Sequence, residues 1–205
     1  MRSVTSPCTA APRALAAPSR RRVLALLGAA VVASPFDVQA APRSAWPMRS
    51  GIRGIDQRHL LVSQQGGREV LHRPFRAQDG SVDPHGVNAL SWLFRDWRDG
   101  DQGLLIDIRL FDLLATIQTV LSVIDSSPAQ IVLNSGYRTP ERNRTIEGAA
   151  ANSQHIHGRA ADIVIPGISH DVLRDAAEIA AAPGLGRYPG FTHVDVGPPG
   201  RRWSG

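Results

Sequence analysis

Residues 153–162 read SQHIHGRAAD, and residues 192–195 read THVD. His155 and Asp162 lie close enough in the first segment to come from one loop and the strand that follows it. His193 would then arrive from a neighbouring strand, which brings two imidazoles and a carboxylate together. Zinc prefers these side chains, and three such ligands with one open position form a catalytic rather than a structural site. The two segments predict a metal centre built on adjacent strands.

The residues before this centre predict a hairpin and two helices. Two short apolar runs flank Gly66-Gly67, a pattern typical of a hairpin. Asp83-Pro84 is a helix start, with Asp as the cap and Pro at the first helical position. A longer helix begins near Asp107. The two apolar stripes are Val87, Leu90, Leu93, Phe94 and Trp97, and then Leu110, Leu113, Leu114, Ile117, Val120, Leu121 and Ile124.

The second half of the chain predicts strands around the centre. A short buried strand is expected over 130–134, and further strands over 159–165 and 190–196, the last being the final strand. A polar loop with one helical stretch is expected over 139–152. A further helix is capped by Ser169 and closed by Gly184. The predicted fold class is α+β, with helices packed on a small, mainly antiparallel sheet.

The first forty residues are typical of an export signal. Three arginines at 20–22 precede an apolar run over 23–33 that is too short to span a bilayer. This arrangement favours a twin-arginine signal over 1–40, which exports folded proteins. An ordinary secretory signal and an uncleaved membrane anchor are the alternatives. A flexible segment over 41–56 and one domain over 57–205 would follow.

Charge and cysteine content bear on the partners and on the metal ligands that can be expected. Of 23 basic and 18 acidic residues, five basic and one acidic residue precede position 41, so the remaining chain is close to neutral. The overall positive charge is therefore no argument for nucleic-acid binding. Cys8 is the only cysteine and lies in the predicted signal, so neither disulfides nor thiolate ligands are expected in the exported protein.

Two further polar residues are candidates for chemistry at the centre. Asp195 follows His193 by two residues, so both side chains face the same way on a strand. It could serve as the general base or could order His193 from behind. Arg138 could hold a substrate carboxylate through two hydrogen bonds, or could pair with Glu141 or Asp162. Tyr188 and Trp203 either line the cleft or belong to the peripheral core.

These motifs resemble those of a known superfamily of zinc peptidases. The patterns are Ser153-x-His155-x-x-Gly158-x-Ala160-x-Asp162, Ser135-Gly136-Tyr137-Arg138 and His193-x-Asp195. They look like the motifs of D-alanyl-D-alanine carboxypeptidases, which form the LAS superfamily with VanX-type dipeptidases, lysostaphin-type enzymes and the hedgehog fold. The similarity covers roughly residues 79–203 and is greatest to exported YcbK-like peptidoglycan hydrolases.

The resemblance implies roles for individual residues. His155, Asp162 and His193 would be zinc ligands, Arg138 would contact substrate, and Ser153 would orient substrate or a ligand. Two positions depart from the pattern. Carboxypeptidases and VanX-like enzymes commonly carry the general base three residues before the last histidine, where this chain has Gly190. His157 adds an imidazole that could replace His155 as a ligand or support it from behind, although the spacing of the motif selects His155.

The implied activity is zinc-dependent cleavage of peptide bonds next to D-amino acids in peptidoglycan. The protein would bind peptidoglycan peptides as its partners. It would work in the periplasm or cell envelope, with no stable membrane anchor after signal cleavage. The alternative is a zinc-holding module that binds the cell wall without hydrolysis, which Gly190 favours. A different amide substrate in the envelope is a third possibility, and carboxypeptidase and endopeptidase activity are not distinguished.

Overall fold

A computed structural model describes residues 58–125 and 129–205. The predicted signal over 1–40 and the flexible segment over 41–56 lie outside these residues, so both stay predictions. The described chain contains four α-helices and one mixed sheet of seven strands, which confirms the α+β class. Within the described ranges, no helix has both the length and the apolar composition needed to cross a bilayer.

The chain enters the sheet through the predicted hairpin. β1 (His59–Gln64) pairs antiparallel with β2 (Val70–Pro74). The connection contains Gly66 and Gly67, whose φ values of +82° and +68° lie in the left-handed region that favours glycine. The hairpin prediction is confirmed.

The first helix, α1 (Pro84–Leu93), begins at the predicted Asp-Pro pair. The Asp83 carboxylate accepts a hydrogen bond from the backbone N–H of His85 at 3.0 Å. The helix ends with Phe94 as its C-cap, so Trp97 lies beyond it. The predicted apolar stripe is correct up to Phe94 and wrong at Trp97.

The long helix α2 (Ile108–Asp125) supplies the largest share of the core. It packs against β1 and against the later helix α4 (His170–Ile179). Burial of its apolar stripe drives this packing. The buried members of the predicted stripe are Leu110, Leu113, Leu114, Ile117, Val120 and Leu121. The side chain of Ile124, the last predicted member, lies outside the described part of the chain.

Four elements between α2 and α4 lead to the predicted centre. β3 (Ile131–Ser135) and β4 (Ala160–Val164) agree with the predicted strands to within one residue at each end. The loop between them contains α3 (Pro140–Thr145), the expected helical stretch, and the 3₁₀ turn Gln154–His157. Ser169 caps α4 as predicted, and its hydroxyl accepts a hydrogen bond from the N–H of Val172 at 3.3 Å.

The end of the chain adds two strands that the pattern did not predict. β5 (Gly184–Tyr188), β6 (Phe191–Asp195) and β7 (Arg201–Ser204) follow α4. Gly184 begins β5 and does not close α4, whose C-cap is Ala180. The strand predicted over 190–196 is therefore not the last one. Glycines and arginines dilute the apolar alternation of β5 and β7, and glycine is depleted in strands.

The sheet is mixed, so the prediction of a small, mainly antiparallel sheet is wrong. The strand order is β2-β1-β3-β4-β6-β5-β7. β1 and β3 are parallel because α1 and α2 lie between them in the chain, which allows the long crossover that parallel pairing requires. β7 lies on the side of β5 opposite to β6. Because β6 is antiparallel to β5 and the chain reverses direction again after β6, β7 runs parallel to β5. The other four neighbouring pairs are antiparallel.

The two faces of the sheet have different roles near the centre. Ile163, Val194 and Leu185, on β4, β6 and β5, lie in the hydrophobic core beneath α2 and α4. Because successive side chains on a strand alternate between faces, Asp162 and His193 lie on the opposite face. These two residues are direct partners in the β4–β6 register.

Candidate metal centre

The structure brings His155, Asp162 and His193 together from three elements. His155 lies in the 3₁₀ turn Gln154–His157, Asp162 on β4 and His193 on β6. All three residues are buried, at 1%, 3% and 7% exposure. In the described part of the chain they form the one group of three such residues whose ligand atoms could hold a metal ion.

Three acceptor atoms converge in this cluster. His155 Nε2 lies 3.2 Å from Asp162 Oδ1 and 3.2 Å from His193 Nδ1. His193 Nδ1 lies 2.9 Å from the same oxygen. Tetrahedral zinc with bonds of about 2.0–2.2 Å would separate its ligand atoms by about 3.3–3.5 Å. The spacing of the three atoms is close to the spacing that zinc requires.

The hydrogen bonds behind the two imidazoles determine which nitrogens are free. His155 Nδ1 lies 2.6 Å from the carbonyl oxygen of Gly136, which can only accept, so Nδ1 carries the proton. His193 Nε2 lies 3.1 Å from Asp195 Oδ2 and donates to that carboxylate in the same way. In the neutral rings, the lone pairs of His155 Nε2 and His193 Nδ1 therefore point into the cluster, as a metal ligand requires.

The electrostatics of the cluster favour a cation between these atoms. Burial lowers the pKa of His155, which favours its neutral form. Burial opposes the charged form of His193 too, but hydrogen bonds to Asp162 and Asp195 outweigh it and raise that pKa. Burial would raise the pKa of Asp162, but interactions with His155 and His193 hold it well below its usual range. An ionised carboxylate thus faces two imidazoles, and a bound metal would take the place of a proton.

The turn that carries His155 is fixed at both ends. The Ser153 hydroxyl caps it and accepts a hydrogen bond from the backbone N–H of His155 at 3.4 Å. Gly158 closes it with a φ of +63°, and a side chain there would overlap Leu104. The observed contact of Ser153 is thus with the turn that positions a ligand candidate. The role predicted for it, orientation of a substrate or a ligand, stays a prediction.

Arg138 lies directly behind Asp162. Its Nη2 donates to Asp162 Oδ2, the oxygen that does not face the histidines, and its Nε donates to the Ser135 hydroxyl at 2.8 Å. Both members of the ion pair are largely buried, with side-chain exposures of 13% and 4%. Burial is the main cause that lowers the pKa of Arg138. Arg138 was expected either to contact a substrate carboxylate or to pair with Glu141 or Asp162, and the structure shows the ion pair with Asp162.

Asp195 lies behind His193 rather than on the ligand side of its ring. Its Oδ2 accepts from His193 Nε2, and its Oδ1 accepts from the backbone N–H of Gly197 at 2.7 Å and from Arg201 Nη2. The residue is completely buried. A general base must reach a water molecule near the open metal position, and this carboxylate faces away from it. The geometry favours the alternative in which Asp195 orders His193.

Two residues singled out in the sequence lie outside the cluster. His157 is exposed, and its Nε2 lies 2.7 Å from Asn152 Oδ1. Gly190 lies in the turn between β5 and β6, where nothing approaches within 4 Å of the position a side chain would occupy. His157 therefore has a partner away from the cluster, and no functional side chain occupies the position usual for the base.

The structure also brings to the cluster residues whose contacts there the motifs did not predict. Arg201 contacts Asp195, and the Trp203 ring lies 5.1 Å from the His193 ring, centroid to centroid. The Gly136 carbonyl and the Ser135 hydroxyl, which belong to a quoted motif, hold His155 and Arg138. Pairing of β7 beside β5 creates the first two contacts, and no spacing in the sequence signals that long-range pairing.

Two imidazoles and a carboxylate, each held from behind, form the kind of ligand set found in metallopeptidases. Comparison with known proteins defines the group. The chain belongs to the M15 peptidase family described as peptidoglycan L,D-endopeptidase MepK, whose model matches residues 53–203. The predicted resemblance to this group of metallopeptidases is confirmed at the level of the family, and the chain is a metallopeptidase. The twin-arginine signal and the YcbK-like branch stay predictions.

Individual relatives agree with this assignment. The chain is 32% identical over 196 residues to the peptidoglycan L,D-endopeptidase MepK of Escherichia coli K12. The aligned region covers 90% of this chain and 97% of the relative. It is 37% identical over 128 residues to the probable peptidoglycan L,D-endopeptidase MepK of Haemophilus influenzae, covering 60% and 66% of the two chains.

Proposed function

We propose that this protein is a zinc-dependent peptidase that hydrolyses L,D-peptide bonds in peptidoglycan. The observation that carries the proposal is the convergence of His155 Nε2, Asp162 Oδ1 and His193 Nδ1 within 3.2 Å of one another. Family membership supports peptidoglycan as the substrate, and the names of the relatives favour an endopeptidase over a carboxypeptidase. Cleavage next to a D-amino acid belongs to the same proposal.

The residues at this site have two roles, to hold the metal ion and to fix the imidazoles that bind it. Zinc, when bound, supplies a Lewis acid and acidifies a water molecule. His155, Asp162 and His193 hold the ion, and the Gly136 carbonyl and Asp195 fix the two imidazoles. The neutral tautomers set by these bonds leave the ligand nitrogens free of protons.

Arg138 has two tasks in the proposed mechanism. Its contact with Asp162 Oδ2 directs the other carboxylate oxygen towards the histidines. Since Nε and Nη2 are used for Ser135 and Asp162, Nη1 is the nitrogen proposed to meet a carboxylate of the peptide. A substrate bound there would lie next to the metal ligands.

We further propose that the protein works in the periplasm or cell envelope after export through a twin-arginine signal. The arginines at 20–22 and the short apolar run after them support this location. The near-neutral charge beyond residue 40 supports peptidoglycan peptides rather than nucleic acid as the partner.

A zinc-holding cell-wall module is the second candidate. Two observations favour it: Gly190 has no side chain to act as a base, and Asp195 is buried behind His193. Such a module would bind zinc and peptidoglycan without forming product. Product formation therefore separates the two candidates.

Digestion of two defined muropeptide dimers tests the proposed activity. One dimer carries an L,D cross-link and the other a D,D cross-link, and mass spectrometry follows the release of monomers. We expect cleavage of the L,D dimer, loss of cleavage after chelation, and recovery when zinc is restored. Binding of the dimers without product would establish the module instead. Cleavage of the D,D dimer alone would contradict the proposed bond specificity.

A further inference from the structure

We propose that the last strand, β7, positions the ligand His193, with Arg201 acting through Asp195 as a positioning residue and Trp203 bracing the ring. This inference deepens the proposed function and rests on the proposed metal site. Arg201 and Trp203 lie on either side of the exposed Arg202, on the strand at the edge of the sheet.

The first contact is a chain of hydrogen bonds that runs from β7 to the cluster. Arg201 Nη2 donates to Asp195 Oδ1, and His193 Nε2 donates to Asp195 Oδ2 at 3.1 Å. Arg201 is itself fixed, because its Nε donates to the carbonyl oxygen of Pro198 at 2.9 Å. Asp195 is completely buried, so its charge depends on these partners rather than on water. The order of His193 thus depends on an arginine eight residues further along the chain.

Space for this arrangement comes from two glycines of β5. A Cβ at Gly184 would lie 2.0 Å from Asp195 Oδ2, and a Cβ at Gly186 would lie 2.6 Å from an atom of the Trp203 ring. Both glycines have ordinary φ values, so backbone conformation does not require them. They leave room on this face of the sheet for the carboxylate and the indole.

Trp203 holds the other side of His193. Its ring centroid lies 5.1 Å from that of His193 at a tilt of 56°, and its Nε1 donates to the Tyr188 hydroxyl at 3.0 Å. The hydrogen bond fixes the orientation of the indole, and the aromatic contact limits rotation of the imidazole. Arg201 and Trp203 lie on the same face of β7 because they are two residues apart.

Arg202 offers a matched control. It lies between the two residues on β7 but faces the other way, where it forms an ion pair with Glu178 at 2.7 Å. It has the same side chain as Arg201 and similar exposure, 39% against 36%. Loss of positive charge at the edge strand would affect both variants alike, whereas the proposed positioning affects only Arg201.

The test measures the zinc affinity of the purified protein by competition with a chromophoric chelator. Removal of a partner behind a ligand typically lowers metal affinity 10–100-fold. We expect Arg201→Ala to weaken zinc binding about tenfold, Arg201→Lys to recover part of this loss, and Arg202→Ala to stay within about twofold. Thermal unfolding of the zinc-free proteins shows whether each variant is folded. In an Asp195→Asn background, Arg201→Ala should have almost no further effect, because the arginine acts through that carboxylate.

Equal zinc affinities for Arg201→Ala and Arg202→Ala would overturn the inference. So would a tenfold loss that persists unchanged in the Asp195→Asn background, since Arg201 would then act independently. If Arg201→Ala does not fold, Arg201→Lys carries the same comparison. Failure of the unmodified protein to bind zinc would instead refute the proposed function, and this inference with it.

Discussion

His155 and His193 reach the cluster with different ring nitrogens, Nε2 in the first and Nδ1 in the second. The reason is the position of the acceptor behind each ring: the Gly136 carbonyl meets Nδ1 of one, and Asp195 meets Nε2 of the other. The three ligand candidates could be predicted from residue type and spacing. The choice of nitrogen could not, because it depends on where each acceptor lies relative to the imidazole ring in the folded chain.

The two imidazoles of the 3₁₀ turn should respond differently to substitution. His155→Ala removes one of three converging ligand atoms, so we expect stoichiometric zinc to be lost. His157→Ala changes an exposed ring that contacts Asn152, so zinc content should stay unchanged. Elemental analysis of the purified variants measures both. Retained zinc in His155→Ala together with lost zinc in His157→Ala would reverse the assignment of the two histidines.

Asp195→Asn separates an ordering role from a role as general base. Because Asp195 bonds His193 from behind, the substitution should lower zinc affinity about 10–100-fold. A general base would give the opposite pattern, with zinc affinity unchanged and kcat strongly reduced. Zinc titration and kinetics on one muropeptide at saturating zinc distinguish the two. Full zinc affinity with lost turnover would return Asp195 to the role of base.

At the scale of secondary structure, strong local signals were sufficient for most of the chain. The Gly66-Gly67 hairpin, the Asp83 cap and the apolar spacing of α2 are visible in short stretches of sequence. The first two are confirmed, and the stripe is confirmed for the members whose side chains the structure describes. β5 and β7 lack such local signals, and β7 also pairs with a strand that does not directly precede it in the chain. Glycines that make room for Asp195 and Trp203 also remove the alternation by which a strand is predicted. The glycines that the site requires in β5 therefore weaken the sequence pattern of that strand.

The same glycines give a prediction for β5. Gly184→Ala would place a methyl group against the Asp195 carboxylate, at 2.0 Å from Oδ2. We expect a loss of about 1–3 kcal/mol in the free energy of unfolding, as is usual for overpacking, and weaker zinc binding. Gly190→Ala is the control, because the space around that position is open, and its effect should stay within about 0.5 kcal/mol. Chemical denaturation measures both, and equal stabilities would contradict the account of β5.

At the scale of the whole molecule, the cluster ties together β4, β6 and the turn before β4. A metal that binds only the folded protein stabilises it by mass action, by about 2.7 kcal/mol at a hundredfold excess over Kd. For a domain of this size that corresponds to a rise in Tm of about 5–10 °C. Calorimetry with and without zinc measures the shift. Asp162→Asn should remove it, and an equal shift in that variant would place the metal elsewhere.

The fold class and the order of the motifs could be predicted from the sequence, whereas the mixed sheet could not. The parallel pairs β1–β3 and β5–β7 each join strands that are not consecutive in the chain, and local patterns do not specify which strands become neighbours. The contacts of Arg201 with Asp195 and of Trp203 with His193 follow from that topology. Family membership identifies the class of enzyme, while the contacts of these residues give the basis for its mechanism.

The proposed zinc-dependent hydrolysis is tested most directly by incubating purified sacculi with four matched protein samples and measuring the soluble peptides released. The samples are the protein with zinc, the same protein after chelation, the chelated protein with zinc restored, and Asp162→Asn with excess zinc. We expect release from the first and third samples alone, with products formed by cleavage of L,D bonds. Undiminished release after complete removal of metal, or from Asp162→Asn, would contradict zinc-dependent hydrolysis.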